Sequence, residues 1–388
     1  MPFALHLLAS AVFAMGTSEF MLAGLVPDIA TDLDVPIGTA GLLTSAFAVG
    51  MVVGAPAMAA LARRWAPRTT LIGCVVVFAL CHVVGAVTPM FAALFGTRMV
   101  AAVAAAGFLA VALSTAAELA PPDRKGRALA ILLSGTTIAT VAGVPAGALL
   151  GTALGWRATF WAIALLCVPA ALGIALGVPG RSADAAAGDF SIRFELAQLR
   201  MPRLLFAMLL GALVNGATFA VFTFLAPIVT DIAGLGDWWI SAALVLFGIG
   251  SFVGVTAAGR LSDRYPGPII AVGGPALMLG WVALALLAAH PAALLGLVFV
   301  QGALAFAVGS TLITRVLYAA AGAPAMGGSY ATAALNIGAA AGPAIAAATI
   351  AAGELMPVWL AAASTGLAVV VALPLLRVLA PRDLENAR

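Results

Sequence analysis

Charged residues are scarce in this chain. Asp, Glu, Lys and Arg together make up 9% of the 388 residues, whereas hydrophobic residues make up 64%. Soluble globular proteins carry about 25% charged residues, and one soluble core could not bury so much apolar sequence. The scarcity therefore excludes an ordinary soluble protein and predicts that lipid surrounds most of the chain.

Cysteines and catalytic motifs are scarce as well. Cys74, Cys81 and Cys167 all lie in apolar runs, and Cys74 and Cys81 would stand two helical turns apart, about 10 Å, too far for a disulfide. The sequence contains no H-E-x-x-H, G-x-S-x-G or phosphate-binding loop motif. We therefore expect no metal, no cofactor and no enzymatic activity. The net charge of +3 gives no indication of a nucleic-acid partner.

What the sequence has instead is long apolar runs. A helix needs about 20 residues to cross the hydrocarbon core, and cutting the chain at charges and at Pro, Gly and Asp clusters predicts twelve spans. They run approximately over 5–26, 37–61, 69–89, 91–119, 127–151, 157–178, 203–229, 238–261, 267–289, 292–317, 325–352 and 356–379. The predicted fold is an all-α polytopic membrane protein with an N-terminal six-helix bundle (1–178), a polar linker (179–201) and a C-terminal six-helix bundle (202–388).

Basic residues are distributed unevenly between the two sides of the predicted bundle. On one side the connections and the C-terminal tail hold nearly all of the arginines and the single lysine, Lys125. The opposite connections hold only Arg157 among the basic residues, together with acids such as Asp28 and Asp32. Because cytoplasmic loops carry the excess of Lys and Arg, we expect both termini and the linker in the cytoplasm of a bacterial cell.

The second half of the chain repeats the first at an offset of 200 residues. The matched positions are Gly16 with Gly216, Pro27 with Pro227, Phe47 with Phe247, Gly50 with Gly250, Gly54 with Gly254, Leu61 with Leu261 and Arg64 with Arg264. Chance coincidence of glycines does not explain the matched Pro, Phe and Arg. The repeat predicts two pseudo-symmetric six-helix bundles, which is typical of secondary transporters that rock one half against the other.

Glu19 is a carboxylate inside the first apolar run. Such an acid costs several kcal/mol at membrane depth and usually carries a function, so Glu19 is the first candidate for proton coupling. Arg98 lies at a similar depth in the fourth span, roughly 10 Å from the same membrane face, and we expect it to stabilise the ionised carboxylate. The alternatives are a neutral carboxyl that bonds a neighbouring helix and an Arg98 that extends to the interface.

Three motifs resemble those of the major facilitator superfamily, specifically its twelve-helix drug/proton antiporter branch. The first is the loop motif Gly259-Arg-Leu-Ser-Asp263-Arg264. The second is Leu94-Phe-Gly-Thr-Arg98 in the fourth span, and the third is Gly143-Val-Pro145-Ala-Gly147 in the fifth. The resemblance implies that Arg98 takes part in proton transfer, that Gly143, Pro145 and Gly147 shape a bendable helix, and that Asp263 latches the cytoplasmic side. Arg63 replaces the corresponding acid in the first half, which puts the first-half latch in doubt.

Few polar residues interrupt the spans, and they predict the substrate class. The candidates for substrate contact are Asn215, Phe219, Gln301, Phe306, Tyr330 and Asn336. A mainly apolar and aromatic cavity with a few amides suits a small amphiphilic molecule better than a sugar, although any of these residues alone could instead bond neighbouring helices.

Several stretches, such as Gly16 to Ala30 and Ala305 to Tyr318, resemble actinomycete chloramphenicol-resistance exporters over essentially the full length. The resemblance implies a monomeric, proton-coupled exporter of chloramphenicol or a similar phenicol in the bacterial plasma membrane. The alternative is a sugar or metabolite exporter of the same fold, and a membrane sensor that transports nothing is a further possibility.

Overall fold

The computed structural model describes residues 3–61, 65–119, 125–178, 197–261, 265–320, 322 and 327–372. Every regular element in these ranges is a helix. The first half contains α1 (Phe3–Phe20), α2 (Ile37–Leu61), α3 (Pro67–Val87), α4 (Phe91–Leu119), α5 (Lys125–Ile138, continued by Val144–Leu154) and α6 (Trp156–Gly177). The second half contains α7 (Pro202–Thr223), α8 (Trp238–Leu261), α9 (Pro266–Leu287), α10 (Pro291–Ala319), α11 (Gly327–Thr349) and α12 (Met356–Ala372).

Each of the twelve predicted spans corresponds to one of these helices. Among the described residues, eleven helices are long and apolar enough to cross a membrane, and the twelfth, α12, is a shorter apolar helix. Of the predicted linker 179–201, only residues 197–201 are described, and they include a short 3-10 turn at Gln198–Arg200. The prediction of an all-α polytopic membrane protein is confirmed.

The sequence repeat is also a repeat of contacts. Four glycines each lie so close to a neighbouring helix that an added Cβ would meet its backbone: Gly50 at Met99, Gly54 at Val103, Gly250 at Phe299 and Gly254 at Ala303. The partners are themselves 200 residues apart, like the glycines. In both halves, small residues therefore let the second helix approach the fourth at the same two points.

The helix that begins each half is interrupted at an equivalent place. After α1 the chain forms a 3-10 turn at Met21–Gly24 and then a short helix, Val26–Asp32. After α7 it forms a short helix at Leu225–Pro227 and then a π-helical turn at Ile228–Ile232. These irregular segments free backbone groups from the regular α-helical pattern next to the contact between the halves.

The two halves contact each other through α2 with α11 and through α5 with α8. We call the distal face the end of the bundle formed by the connections α1–α2, α3–α4, α5–α6, α7–α8, α9–α10 and α11–α12. Gly38, the second residue of α2, lies against the carbonyl of Ala347, and the Ser45 hydroxyl donates to the Ala340 carbonyl at 2.8 Å. On the other pair, Gly248 lies against the carbonyl of Thr140. The Gly38–Ala347 contact joins the halves at the distal face, and the other two contacts lie farther along the same helices.

A first prediction concerns this closure. An Ala at Gly38 would place its Cβ 2.5 Å from the Ala347 carbonyl oxygen, so Gly38→Ala should separate the halves at the distal face. Gly96→Ala is the matched control, because nothing lies within 4 Å of the added Cβ. Cysteines placed at Ser45 and Ala340 should cross-link less in Gly38→Ala than in the control. Equal cross-linking in both would contradict the role assigned to this contact.

Charged residues of the distal face tie several connections together. The Arg157 guanidinium, at the start of α6, pairs with Asp32 and donates to the Thr88 carbonyl at 3.2 Å. It also stacks on the Trp156 ring at 4.3 Å, and the Trp156 indole donates to Asp32 at 3.3 Å. Arg157 therefore holds the ends of the first, third and sixth spans together within the N-terminal half.

Two acids from opposite halves lie near each other at the same face. Asp28 follows α1 in the first half, and Asp237 precedes α8 in the second. Partial burial, and after it the negative charge of Asp237, raise the pKa of the Asp28 carboxyl above its ordinary value. The closed arrangement therefore binds a proton at Asp28 more tightly than an arrangement in which these groups are apart. We therefore expect closure to be favoured at acidic pH and to weaken as the pH rises through the pKa of Asp28.

A second prediction follows for the pH dependence of closure. Asp237→Asn removes the like charge, so the distal face should stay closed to a higher pH than in the parent protein. Because burial of Asp28 remains, the pH dependence should weaken rather than disappear. Spin labels at Asp34 and Gly236 would report the separation of the halves by double electron–electron resonance. Asp231→Asn is the control, and identical pH responses of the parent and Asp237→Asn would contradict the prediction.

Candidate functional site

The Glu19 side chain lies near the end of α1, directly before the 3-10 turn at Met21–Gly24. It is half-buried, while Ser18 before it is fully buried. Within the described part of the chain, no hydrogen bond or ion pair engages its carboxylate. An acid in this position keeps both oxygens available for a proton.

Arg98 contacts α1 at the residue next to Glu19. Its Nη1 donates to the Ser18 hydroxyl at 2.7 Å and its Nη2 to the Ser18 carbonyl at 2.8 Å. The Phe47 ring lies 4.4 Å from the guanidinium carbon, and only 1% of the arginine is exposed. Arg98 therefore does not extend to the interface, and in this conformation its hydrogen bonds go to Ser18 rather than to the Glu19 carboxylate.

With Ser18, Glu19 and Arg98, His82 forms a group that we call the N-terminal polar cluster. His82 is not among the site residues predicted from the sequence. Its Nε2 lies 2.7 Å from the Ser18 hydroxyl and its Nδ1 lies 2.7 Å from the Phe78 carbonyl oxygen. The ring packs between Phe78 and Phe160, at centroid distances of 4.3 and 5.6 Å. An ionisable side chain in the middle of the third apolar run is the feature that could have pointed to it.

At the positions equivalent to the N-terminal polar cluster, the C-terminal half carries mostly apolar residues. At the 200-residue offset Glu19 corresponds to Phe219, His82 to Val282 and Arg98 to Val298, and only Ser18 keeps a hydroxyl, as Thr218. Phe219 and Val298 are buried. The two halves therefore share a framework of helices but differ in chemistry, with charge in the first and apolar side chains in the second.

Five phenylalanines form an aromatic cluster that crosses from one half to the other. Phe20, which follows Glu19, lies 5.6 Å from Phe219 and 6.1 Å from Phe222. Phe222 lies 4.7 Å from Phe247, which in turn lies 6.0 Å from Phe306. Phe219 and Phe306 are among the candidates for substrate contact predicted from the sequence, and the other three are not. The aromatic cluster begins at the residue adjacent to the candidate proton site.

The other predicted substrate-contact residues are engaged within the C-terminal half. The Asn215 amide donates to the Leu335 carbonyl at 2.8 Å, and the Gln301 amide donates to the Leu277 carbonyl at 3.0 Å. Asn336 donates within its own helix, to Thr332 at 3.0 Å. Gln301 is fully buried between α9 and α10, and Tyr330 is 4% exposed in an apolar cluster with Leu204, Ala207 and Val316. Three of these four residues thus join helices or fill the core in this conformation, while Asn336 bonds within α11.

The predicted conformational motif in α5 packs against α1 next to Glu19. Gly143 ends a π-helical turn at Ala139–Gly143, directly before Val144 and Pro145. A Cβ at Gly143 would meet the Thr17 hydroxyl oxygen, and the Thr159 hydroxyl donates to the Gly147 carbonyl at 2.9 Å. Since proline cannot donate a backbone hydrogen bond, the π-helical turn lies where the regular pattern must change.

Two glycines of α11 contact α7 in the second half. Gly338 lies against the Ala212 carbonyl and Gly342 against the Gly216 carbonyl. The loop motif is only partly described. Gly259 is near the end of α8, with nothing within 4 Å of where a Cβ would lie, whereas Asp263, Arg264 and Arg63 lie outside the described residues.

Comparison with known proteins identifies the family. A model described as the Major Facilitator Superfamily matches residues 8–327. The chain belongs to this superfamily. A chloramphenicol resistance protein of Streptomyces lividans is 66% identical over 99% of both chains. The inner membrane transport protein YdhP of Escherichia coli (strain K12) is 35% identical over 89% of this chain and 88% of that protein.

A solved structure agrees with the superfamily fold. The crystal structure of a bacterial homolog of the human lysosomal transporter Spinster matches with a TM-score of 0.72 at 18% identity, covering 97% of this chain and 95% of the other. The two-bundle transporter architecture predicted from the sequence repeat is thereby confirmed.

Proposed function

We propose that this protein is a proton-coupled antiporter that exports chloramphenicol or a similar phenicol from the bacterial cell. The observation that carries the proposal is the 66% identity, over 99% of both chains, to a chloramphenicol resistance protein. The N-terminal polar cluster and the aromatic cluster supply the chemistry that such an exchange requires.

The aromatic cluster supports an aryl substrate. A phenicol carries one aromatic ring together with an amide and hydroxyl groups, so it is a small amphiphile. Phe222 and Phe247, at 4.7 Å, offer ring faces and edges for stacking. Asn215 and Asn336 each already use one amide N–H on a backbone carbonyl, and the five phenylalanines of the aromatic cluster offer no hydrogen-bonding side chain for the hydroxyls of a sugar. The same fold exporting a sugar is therefore the less favoured alternative.

Glu19 is the proposed proton-binding group. Arg98, which is hydrogen-bonded to the preceding residue Ser18, influences the Glu19 carboxylate through its charge. The guanidinium stabilises the ionised carboxylate through its charge while leaving the carboxylate oxygens free. Protonation of Glu19 and occupation of the site beside Phe20 by drug then alternate, so that drug is released as the proton is taken up. Exchange of a neutral drug for one proton moves charge, worth about 2.3 kcal/mol per 100 mV.

The excess of arginine on the side opposite the distal face supports an orientation with both termini in the cytoplasm. In that orientation the distal face is external, and the arrangement described here is closed toward the outside. The proposed units are the bundles 1–178 and 202–388 joined by the cytoplasmic linker 179–201, acting as a monomer in the plasma membrane. Gly143, Pro145 and Gly147, beside α1, are proposed to let α5 bend as the halves rock, and Gly259, Asp263 and Arg264 to latch the cytoplasmic side.

A third prediction tests the coupling group. Glu19→Gln imitates the protonated carboxyl and cannot exchange its proton, so uphill export driven by a pH gradient should be lost. Downhill exchange of labelled chloramphenicol in proteoliposomes should persist. Glu354→Gln, in the α11–α12 connection, changes charge equally and should export like the parent. Uphill export by Glu19→Gln at the parent rate would place the coupling group elsewhere.

A fourth prediction tests the aromatic cluster. Phe222→Leu keeps apolar area but removes ring contacts, each worth about 0.5–1.5 kcal/mol, so chloramphenicol affinity should fall roughly two- to tenfold. Phe91→Leu is the matched control, because Phe91 pairs with Phe95 at 6.1 Å, outside the aromatic cluster. Titration of the purified variants by calorimetry measures the effect. Equal loss of affinity in both variants would argue against drug binding at the aromatic cluster.

A further inference from the structure

The hydrogen bonds around His82 have a defined direction. The Phe78 carbonyl oxygen can only accept, so the hydrogen bond of 2.7 Å requires that Nδ1 carries a proton. In the neutral ring, Nε2 is then an acceptor, and the Ser18 hydroxyl donates to it across 2.7 Å. With its own proton committed to His82, the Ser18 oxygen can accept from Arg98 Nη1, also at 2.7 Å.

We propose that His82 is a positioning residue for the proton-coupling site. As the neutral Nδ1–H tautomer it orients the Ser18 hydroxyl so that Ser18 holds the Arg98 guanidinium on α1, beside the Glu19 carboxylate rather than on it. The inference rests on the proposed role of Glu19 in proton coupling, and it assigns to His82 a part in setting where the arginine charge lies.

The position of the guanidinium matters because arginine does not lose its proton in proteins. A guanidinium paired directly with Glu19 would bind both carboxylate oxygens in a fork geometry and would compete with the proton. Held by the Ser18 hydroxyl and carbonyl and covered by the Phe47 ring, it leaves the oxygens free. A coupling carboxylate requires that freedom, since it must bind and release a proton in every cycle.

His82 itself is poorly placed to carry the proton. Its side chain is 1% exposed, and rings pack against it from two helices. Both ring nitrogens already have partners. A second ring proton on Nε2 would face the Ser18 hydroxyl, which would then have to turn its own proton away from His82. His82 therefore acts through Ser18, and its replacement by another acceptor should be tolerated.

Two substitutions at position 82 distinguish the role of His82 as a hydrogen-bond acceptor from its role as a packed ring. His82→Gln places an amide oxygen near the Nε2 site, where it can accept from Ser18. His82→Phe keeps a ring between Phe78 and Phe160 but offers no acceptor. Uphill chloramphenicol export in proteoliposomes should fall roughly tenfold in His82→Phe, because the buried Ser18 hydroxyl is left without its acceptor. In His82→Gln it should stay within about twofold of the parent, while downhill exchange persists in both variants.

Ser18→Ala tests whether His82 acts through Ser18. Ser18→Ala should lose uphill export as His82→Phe does, and the double variant should lose no more than Ser18→Ala alone, because both remove one interaction. Loss of export in His82→Gln as well as in His82→Phe would indicate a proton-carrying histidine and would overturn the proposal. Full export by His82→Phe, or additive losses in the double variant, would overturn it too.

The tautomer can be measured without reference to Glu19. The chain has three histidines, His6, His82 and His290, so nitrogen-15 labelling of histidine and comparison with His82→Gln assign the signals of His82. At neutral pH we expect a proton on Nδ1 and none on Nε2, and the reverse tautomer or an imidazolium would overturn the inference.

If Glu19→Gln exports uphill, the proposed coupling site fails and the role of His82 with it. If Glu19→Gln is uncoupled but the His82 variants or spectra disagree with the expectation, the inference alone fails.

Discussion

The hydrogen bonds from Arg98 to Ser18 are the interaction on which the functional part of this structure depends. A guanidinium that is 1% exposed inside a membrane-spanning helix requires compensation. Ser18 provides it with a hydroxyl and a carbonyl, and Phe47 adds a ring face at 4.4 Å. Because both hydrogen bonds end on α1, they bring a permanent positive charge to the residue before Glu19.

The two halves share the arrangement of their helices but differ in the side chains of their interiors. Glycines at matched positions set the approach of α2 to α4 and of α8 to α10. Inside that shared framework, the positions of Glu19 and Arg98 are taken by Phe219 and Val298 in the second half. The Phe20–Phe219 contact of 5.6 Å brings the interiors together between the halves. A transporter that rocks its halves around this contact would couple the ionisable side to the aromatic side.

The sequence was sufficient for the fold because hydropathy and glycine spacing are local properties. Apolar runs of about 20 residues fix the number of spans, and the 200-residue offset identified the second half before any contact was known. The similar depth of Glu19 and Arg98 indicated that they lie near each other. It could not indicate that the arginine binds Ser18, since this choice depends on the rotation of two helices and on a third residue, His82.

Candidate residues for substrate contact are harder to predict for the same reason. The rarity of amides in apolar runs makes them candidate ligands, but a buried amide must also satisfy its own hydrogen bonds. Asn215 and Gln301 donate to carbonyls of neighbouring helices. The aromatic cluster, by contrast, forms from four helices of both halves, and phenylalanines are too common in membrane spans to single out Phe20, Phe222 or Phe247 by sequence.

We propose that a proton and a drug alternate at a site formed by Glu19 and the aromatic cluster. Proton release on drug binding measures this most directly, with purified protein in weakly buffered detergent solution and a pH-sensitive dye. We expect chloramphenicol to release protons from the parent protein, whereas Glu19→Gln should bind the drug and release none. Equal proton release by the parent and by Glu19→Gln would contradict it.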